Sequence, residues 1–450
     1  MQALSKLLPS LERPNTNDRR AWHAYWEVQD QPWRTESEID IERQQYLDAH
    51  LAVEEREWER YPFKDIVLDR ADVEWLLANY GERGSAERGS QPLQRRYGLD
   101  LRGVDLRKVD LHGLPLTGVD LYNAHMEGTD LRVAYLERAN LSAAYLQEAY
   151  LYNAHLEDAY LGESHLERAD LRTAHLEGAD LSEAYLEGAD LSEAHLERTD
   201  LNGAHLEGAG LRATHLEGTD LSRAHLEGSN LSGAFFTSVT NLRGVLLGNE
   251  ESGFVLLAGV RWCDVDLSVV DWTQMNILGD EHQARQQKKD NGEVKDSMTR
   301  LEEYRTAVRA NRQLAVALQA EGLNEEAARF AYRAQRLQRV VLRRQRKLGK
   351  YLFSSFLDLL VGYGYRPGRS IFWYLAVIFG FALAHSAFGH LSPLEAFIFS
   401  LTSFHGRGFF PGVTLSLNDP RVILAAFEAV LGLLIEASLI ATFTQRFIGK

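Results

Sequence analysis

The chain has 450 residues, 45% of them hydrophobic and 25% charged, with a formal net charge of −15 and a single cysteine. That length accommodates three or four domains, and the lone Cys263 excludes an internal disulfide framework and suits a reducing compartment. No apolar leader core precedes Pro14 and the polar stretch NTNDRR, so the bulk of the chain is expected in the cytoplasm.

Residues 1–97 read as a helical module. Thr35 and Glu38 form a capping-box pattern in front of the amphipathic run ESEIDIERQQYLDAHLAV, a second helix reads as DRADVEWLLANY, and GERGSAERGSQP follows as a linker. The aromatic cluster Trp22, Trp26, Trp33, Trp58 and Tyr61 is read as a small core or a cap on the next domain rather than as a ligand site.

Residues 98–275 carry an internal repeat. Leucine, or Met126 and Phe236, stands at every fifth position from 101 to 236, which makes 28 consecutive pentapeptides. Two residues before each sits a small side chain such as Ala124, Ala134 or Ala139. A period of five fits neither the 3.6 of a helix nor the 2 of a strand, so the backbone must turn a corner every five residues. Stretches such as ADLSEAYLEGADLSEAHLERTDL follow the pattern A-(D/N)-L-x-x and resemble the pentapeptide-repeat family. The resemblance implies a right-handed quadrilateral β-helix of four pentapeptides per coil, with the leucines and small residues stacked inward. Seven coils would then form a rod about 34 Å long at roughly 4.8 Å per strand. After a one-residue slip near Asn241 the period returns at Leu242, Leu247, Leu257, Trp262, Leu267 and Trp272. Gly248 to Gly253 reads as a loop extruded from one coil, and the tryptophan coils read as the cap.

Within the repeat the residue before each leucine alternates between Asp or Asn and His or Tyr. Twenty residues per coil would stack His155, His175, His195 and His215 in one ladder beside Glu157, Glu177, Glu197 and Glu217. A metal array or a pH sensor is one reading of such a ladder. A flat periodic array does not converge as metal sites do, so the expectation is a solvated face, with no metal and no cofactor. From Leu101 to Thr240 the chain has 24 acidic and 10 basic residues, so nearly all the negative charge is concentrated here.

Residues 297–350 read as an antiparallel helical hairpin turning at Gly322 and resemble a single tetratricopeptide-like pair. Its second half, Ala327 to Lys350, has nine Arg or Lys and no acid, a pattern suited to anionic membrane lipids. In 351–369, YLFSSFLDLLV is too short to span a bilayer and is expected to lie at the interface, followed by a cytoplasmic turn that contains VGYG at Val361 to Gly364.

Residues 370–450 read as two membrane spans, 370–389 and 422–447, around a re-entrant segment at 392–412. The first span has no formal charge over Ser370 to Gly389, about 30 Å of helix. The positive-inside rule places both termini in the cytoplasm, for a multi-pass protein of the cell inner membrane. Ser392, Pro393 and Glu395 mark the start of a short helix, SPLEAFIFSLTSF, which leads into HGRGFFPG. The order of span, short helix, G-x-G turn and span resembles the two-transmembrane potassium-channel pore domain. That resemblance implies a homo-oligomer, by analogy a tetramer, that conducts inorganic ions. It places the selectivity filter at Phe404, His405, Gly406, Arg407 and Gly408, where the family's T-V-G-Y-G is replaced at three of five positions. Glu428, Gly432 and Glu436 lie four apart on one stripe of the second span and are read as the pore lining, with partnering between helices as the alternative. The expected whole is a quadrilateral β-helix with flanking α-helices and a C-terminal pore domain, working as an ion channel with a cytoplasmic sensing or gating module. No enzymatic activity and no nucleic-acid ligand are expected. The rival is a membrane-tethered scaffold whose acidic rod binds a cytoplasmic protein partner, because some pentapeptide-repeat proteins resemble the surface of duplex DNA and bind topoisomerases.

Overall fold

The structure is a computed structural model. It describes residues 12–51, 61–86, 98–249, 251–289, 292–364, 367–389, 391–406 and 420–447. The chain divides into two compact units, Met1–Gln287 with Ala320–Leu323, and Lys288–Gln319 with Asn324–Lys450.

The first unit opens with three helices, α1 (Arg19–Val28), α2 (Ile41–Leu51) and α3 (Arg70–Ala86). Asp18 caps α1 by accepting from the Arg20 amide, and Trp22 and Trp26 stack on the buried face of that helix. The capping box expected at Thr35 and Glu38 does not form. Helix α2 begins at Ile41, with the Arg43 amide bonded to Asp40 at 2.7 Å. Thr35 instead donates through its amide and hydroxyl to Glu74 at 2.9 and 3.1 Å. Glu74 is fully buried, and it takes further donors from the Glu36 amide and from Arg70. A buried carboxylate without such partners would cost several kcal/mol, so this demand outweighs local capping. Helix α3 continues through 81–86, part of the expected linker, and residues 87–97 lie outside the described set.

The repeat closes into a β-helix whose parallel bridges join residues 20 apart, from Asp100 with Asp120 through His215 with Phe235. Four pentapeptides therefore make one coil. In each unit the leucine carbonyl accepts from the amide three residues on, as Ala154 to Leu151 at 3.0 Å, and the residue between takes a left-handed φ, as Asn153 does at 54°. That backbone corner is what a period of five requires. Between coils, the leucine amide bonds upward, as Leu156 does to the His175 carbonyl at 2.7 Å. Leucines and alanines fill the interior with essentially no exposure. Threonine is tolerated at the small position because its hydroxyl finds a carbonyl, as Thr199 does at Leu176 and Thr219 at Leu196.

Both ends of the rod are sealed. Below, the Leu68 amide donates to the Asp105 carbonyl and the Asp105 amide to the Ile66 carbonyl across the edge, and Arg70 reaches the Asp110 carbonyl and carboxylate. Above, the register slips by one at Asp220 with Asn241, and the extra residues at 248–253 bring Leu256 opposite Asn230. Arg261–Trp262 then pairs with Phe235–Phe236, and Trp262 stacks on Phe236 at 5.2 Å. Trp272 is buried, with its ring N–H on the Leu267 carbonyl. A short helix that the sequence reading left unassigned, α4 (Gly279–Arg285), completes the lid. A Cβ on Gly279 would stand 2.4 Å from the Phe254 carbonyl oxygen, so only glycine permits this approach. Next to it the Asp280 carboxylate is buried and accepts from the Leu257 amide at 2.8 Å. Burial pushes its pKa up to about 6 against the amide bonds that lower it.

In the second unit, α5 (Ser297–Ala320) and α6 (Asn324–Arg344) bury small and apolar side chains, among them Ala307, Leu314 and Leu318 on one helix and Phe330, Leu337 and Val341 on the other. Helix α7 (Leu348–Val361) ends at Gly362 in the left-handed region, φ 55°, and Tyr363 bonds back to Ser354 at 2.7 Å. Three further helices follow, α8 (Pro367–Gly389), α9 (Pro393–Phe404) and α10 (Pro420–Phe447). Asp358 on α7 ties this set together by accepting from Tyr332 and Arg339 of α6 and Arg369 of α8.

Helices α8 and α10 coincide with the two expected spans. Among the described residues, however, no helix is long and apolar enough to cross a membrane.

Candidate functional site

Helices α8, α9 and α10 pack on one another around a polar centre. Helix α9 starts with the expected capping box, in which the Ser392 side chain accepts from the Glu395 amide and the Glu395 carboxylate accepts from the Ser392 amide at 3.0 Å. Four residues deeper the helix turns inward Ala396, Phe399, Ser400, Ser403 and Phe404. Opposite Ser400 stand His385 of α8 and Glu428 of α10, and all three are fully buried. The imidazole Nε2 lies 3.0 Å from one Glu428 oxygen, and the Ser400 hydroxyl sits between the other oxygen and the Ile378 carbonyl at 2.8 Å. The His385 ring stands edge-on to Phe399 at 4.6 Å, and its Nδ1 is buried without a partner. One carboxylate thus clasps three helices. Sequence reasoning named Glu428 but passed over His385 and Ser400, although each interrupts an otherwise apolar run.

A second polar group lies at the C-terminal end of α9. Phe404 is a core residue here, its ring packed on Tyr374 at 4.9 Å and clustered with Ile378 and Ile435. Its carbonyl oxygen presses on Gly432 of α10, where an added Cβ would meet it at 2.1 Å. His405 bridges Glu436 at 2.9 Å and Tyr374 at 3.2 Å, and Gly406 closes the turn with φ 68°. Arg407 and Gly408 lie outside the described residues. The stripe Glu428, Gly432, Glu436 therefore faces α8 and the end of α9 within one chain, because each of its members is engaged there by a polar or close backbone contact.

On the rod, the expected ladders form. His155, His175, His195 and His215 stack at 4.9 to 5.0 Å with interplanar angles of 4 to 6°. The second ladder runs His165, Tyr185, His205, His225. Beside each imidazole a glutamate lies within ion-pairing reach, as Glu157 does to His155 at 3.4 Å. The second carboxylate oxygen of Glu157, Glu177, Glu197, Glu207, Glu217 and Glu227 is buried and unpartnered.

Comparison with known proteins identifies the rod. Residues 116–247 match the family described as pentapeptide repeats, in 8 copies, so the central domain is a pentapeptide-repeat β-helix. Among solved structures, the chain is similar to HetL, a pentapeptide repeat protein involved in heterocyst differentiation regulation from the cyanobacterium Nostoc sp. strain PCC 7120, at 25% identity over 44% of this chain and 92% of that one, with a TM-score of 0.23. It is similar to the pentapeptide repeat protein Rfr23 from the cyanobacterium Cyanothece 51142 at 39% identity over 22% of this chain and 63% of that one, TM-score 0.20. QnrB1, a plasmid-mediated fluoroquinolone resistance protein, aligns at 20% identity over 39% of this chain and 89% of that one, TM-score 0.21. A comparison with curated proteins finds no match.

Proposed function

We propose that the protein is a membrane-embedded homo-oligomer, by analogy a tetramer, whose C-terminal helices form an ion-conducting pore, with the pentapeptide-repeat rod as its cytoplasmic sensing module. The observation that carries this reading is the inverted distribution of polarity in α8, α9 and α10. Their exteriors present Phe372, Phe379, Leu383, Leu394, Phe427 and Leu433, between 60% (Phe379) and 73% (Leu383) exposed, while His385, Ser400 and Glu428 are enclosed. Apolar exteriors of that extent are covered by lipid or by other copies of the chain, and enclosed ionisable groups are the usual arrangement in hydrocarbon. The α8 backbone extends over 23 residues, and the sequence from Ser370 to Gly389 has no formal charge. In the proposal α8 and α10 cross the inner membrane, α9 dips between them, and the turn at His405 and Gly406 lies at the constriction. Both termini stay on the cytoplasmic side, and the protein performs no catalysis.

The test is reconstitution of purified protein into liposomes with flux measured under ion substitution. Flux that changes with His405→Ala supports the pore. Absence of flux from protein that resists alkaline extraction defeats it and favours the second reading, a membrane-tethered interaction scaffold. That alternative is supported by the excess of 24 acidic over 10 basic residues between Leu101 and Thr240, a surface suited to a basic protein partner.

A further inference from the structure

The histidine ladders are not uniform, and the place where they depart from regularity is informative. Along the first ladder the imidazoles are held nearly parallel by a ring above and a ring below. At the top of the second, His225 has Leu246 rather than a ring as its upper bridge partner, because the register has slipped. Freed on that side, His225 approaches His205 to 4.6 Å with an interplanar angle of 23°, closer and more tilted than any histidine pair of the first ladder. Glu207 stands between them. Its Oε1 lies 3.3 Å from Nδ1 of His205 and 3.4 Å from Nδ1 of His225. Its Oε2 is buried with no hydrogen-bond partner. Glu227 adds a second carboxylate 3.9 Å from Nδ1 of His225, with its other oxygen also buried and unpartnered.

We propose that His205, Glu207 and His225 form a binding site for a divalent transition-metal ion of the zinc class. Imidazole nitrogen and carboxylate oxygen bind such an ion at about 2.0–2.2 Å, so two donors on a tetrahedral centre stand about 3.4 Å apart. Both nitrogen-to-oxygen edges of this group already have that length. The three donor atoms lie within 4.8 Å of one another, so the remaining edge, between the two nitrogens, closes by further tilt of His225 toward the carboxylate. The corresponding group on the opposite face, His195, Glu197 and His215, has edges of 3.5 and 3.8 Å and rings at 6°, held open by Phe235 stacked above. A bound ion would cross-link two successive coils at the point where the regular repeat ends. The site lies wholly on the rod and is independent of the pore reading.

The experiment uses the full-length chain in detergent, purified without a polyhistidine tag. Zn²⁺ is titrated with the bound metal counted after dialysis, and Co²⁺ absorption reports the geometry. His225→Tyr is the main variant, since Tyr185 already stacks on His205 on this face and the fold accepts that ring. Glu207→Gln removes the bridging charge, and His195→Tyr is the control on the first ladder. The expected result is one ion per chain, with affinity reduced about tenfold or more by His225→Tyr and by Glu207→Gln and unchanged by His195→Tyr. Failure of the unaltered chain to bind, retention of full affinity by either of the first two variants, or an equal loss in His195→Tyr overturns the site.

Discussion

Replacing Asp280 with asparagine is expected to stabilise the upper lid of the rod at neutral pH. The carboxylate is buried in the first turn of α4 and its pKa rises from 3.8 to about 6. Because the folded value lies above the unfolded one, between these limits the folded state keeps a proton that the unfolded chain has released. The contribution is fully present below pH 3.8, declines as the pH rises through the window and is gone above about 6. A displacement of about two pKa units is worth about 3 kcal/mol. The amide keeps one acceptor for the Leu257 amide and loses the other, a cost of about 1 kcal/mol, so the net gain at pH 7 is about 2 kcal/mol. Hydrogen exchange of peptides covering 254–286, corrected for intrinsic rates, reads the opening free energy of the lid directly. The unaltered chain should lose protection between pH 4 and 6 and then level off, while Asp280→Asn stays flat and is the more protected at pH 7. Protection that increases with pH in the unaltered chain, or a variant less protected at pH 7, refutes the reasoning.

Leu196→Ala, which empties a fully buried position of the rod, should cost about 3–5 kcal/mol in urea unfolding followed by far-ultraviolet dichroism. Gly432→Ala places a methyl group 2.1 Å from the Phe404 carbonyl. It should lower the thermal stability of the detergent-solubilised protein, whereas an open helix position would gain about 1 kcal/mol from the same change. Glu428→Leu should cost about 3–5 kcal/mol by stranding His385, and His385→Leu a similar amount. The double variant should recover a large part of that loss, and strict additivity in the cycle would show that the pair does not act as a unit.

The rod was legible because its constraint is local and repeated. The leucine and the small residue must both face inward in every unit, and the backbone must turn at the residue just before the small one, so each pentapeptide states the same requirement. The slip before Asn241 and the loop at 248–253 were visible for the same reason, as breaks in a regular count. Thr35 was misread because its pattern is also satisfied by a distant buried carboxylate, Glu74, which lies 39 residues away. Helix α4 was missed because it has seven residues and its role depends on close approach at Gly279. In the C-terminal unit the helices were readable from apolar runs and the cap at Ser392. The partners of Glu428 were not, since the union of His385, Ser400 and Glu428 arises only from the packing of three segments. Phe404 likewise reads as a filter position in a motif and as a core side chain in three dimensions.

Because each coil of the rod touches only the coil above and the coil below, while the two lids are built from unique segments, interior coils are interchangeable modules. Gain or loss of 60 coding nucleotides, one 20-residue coil, leaves both lids and all junctions intact and alters the reach of the domain by a single strand spacing, about 4.8 Å. Unequal recombination within such a gene therefore works as a length adjustment in discrete steps. Related chains should differ in whole coils, with variation in copy number confined between the segment that follows Asp105 and the one that precedes Asn241.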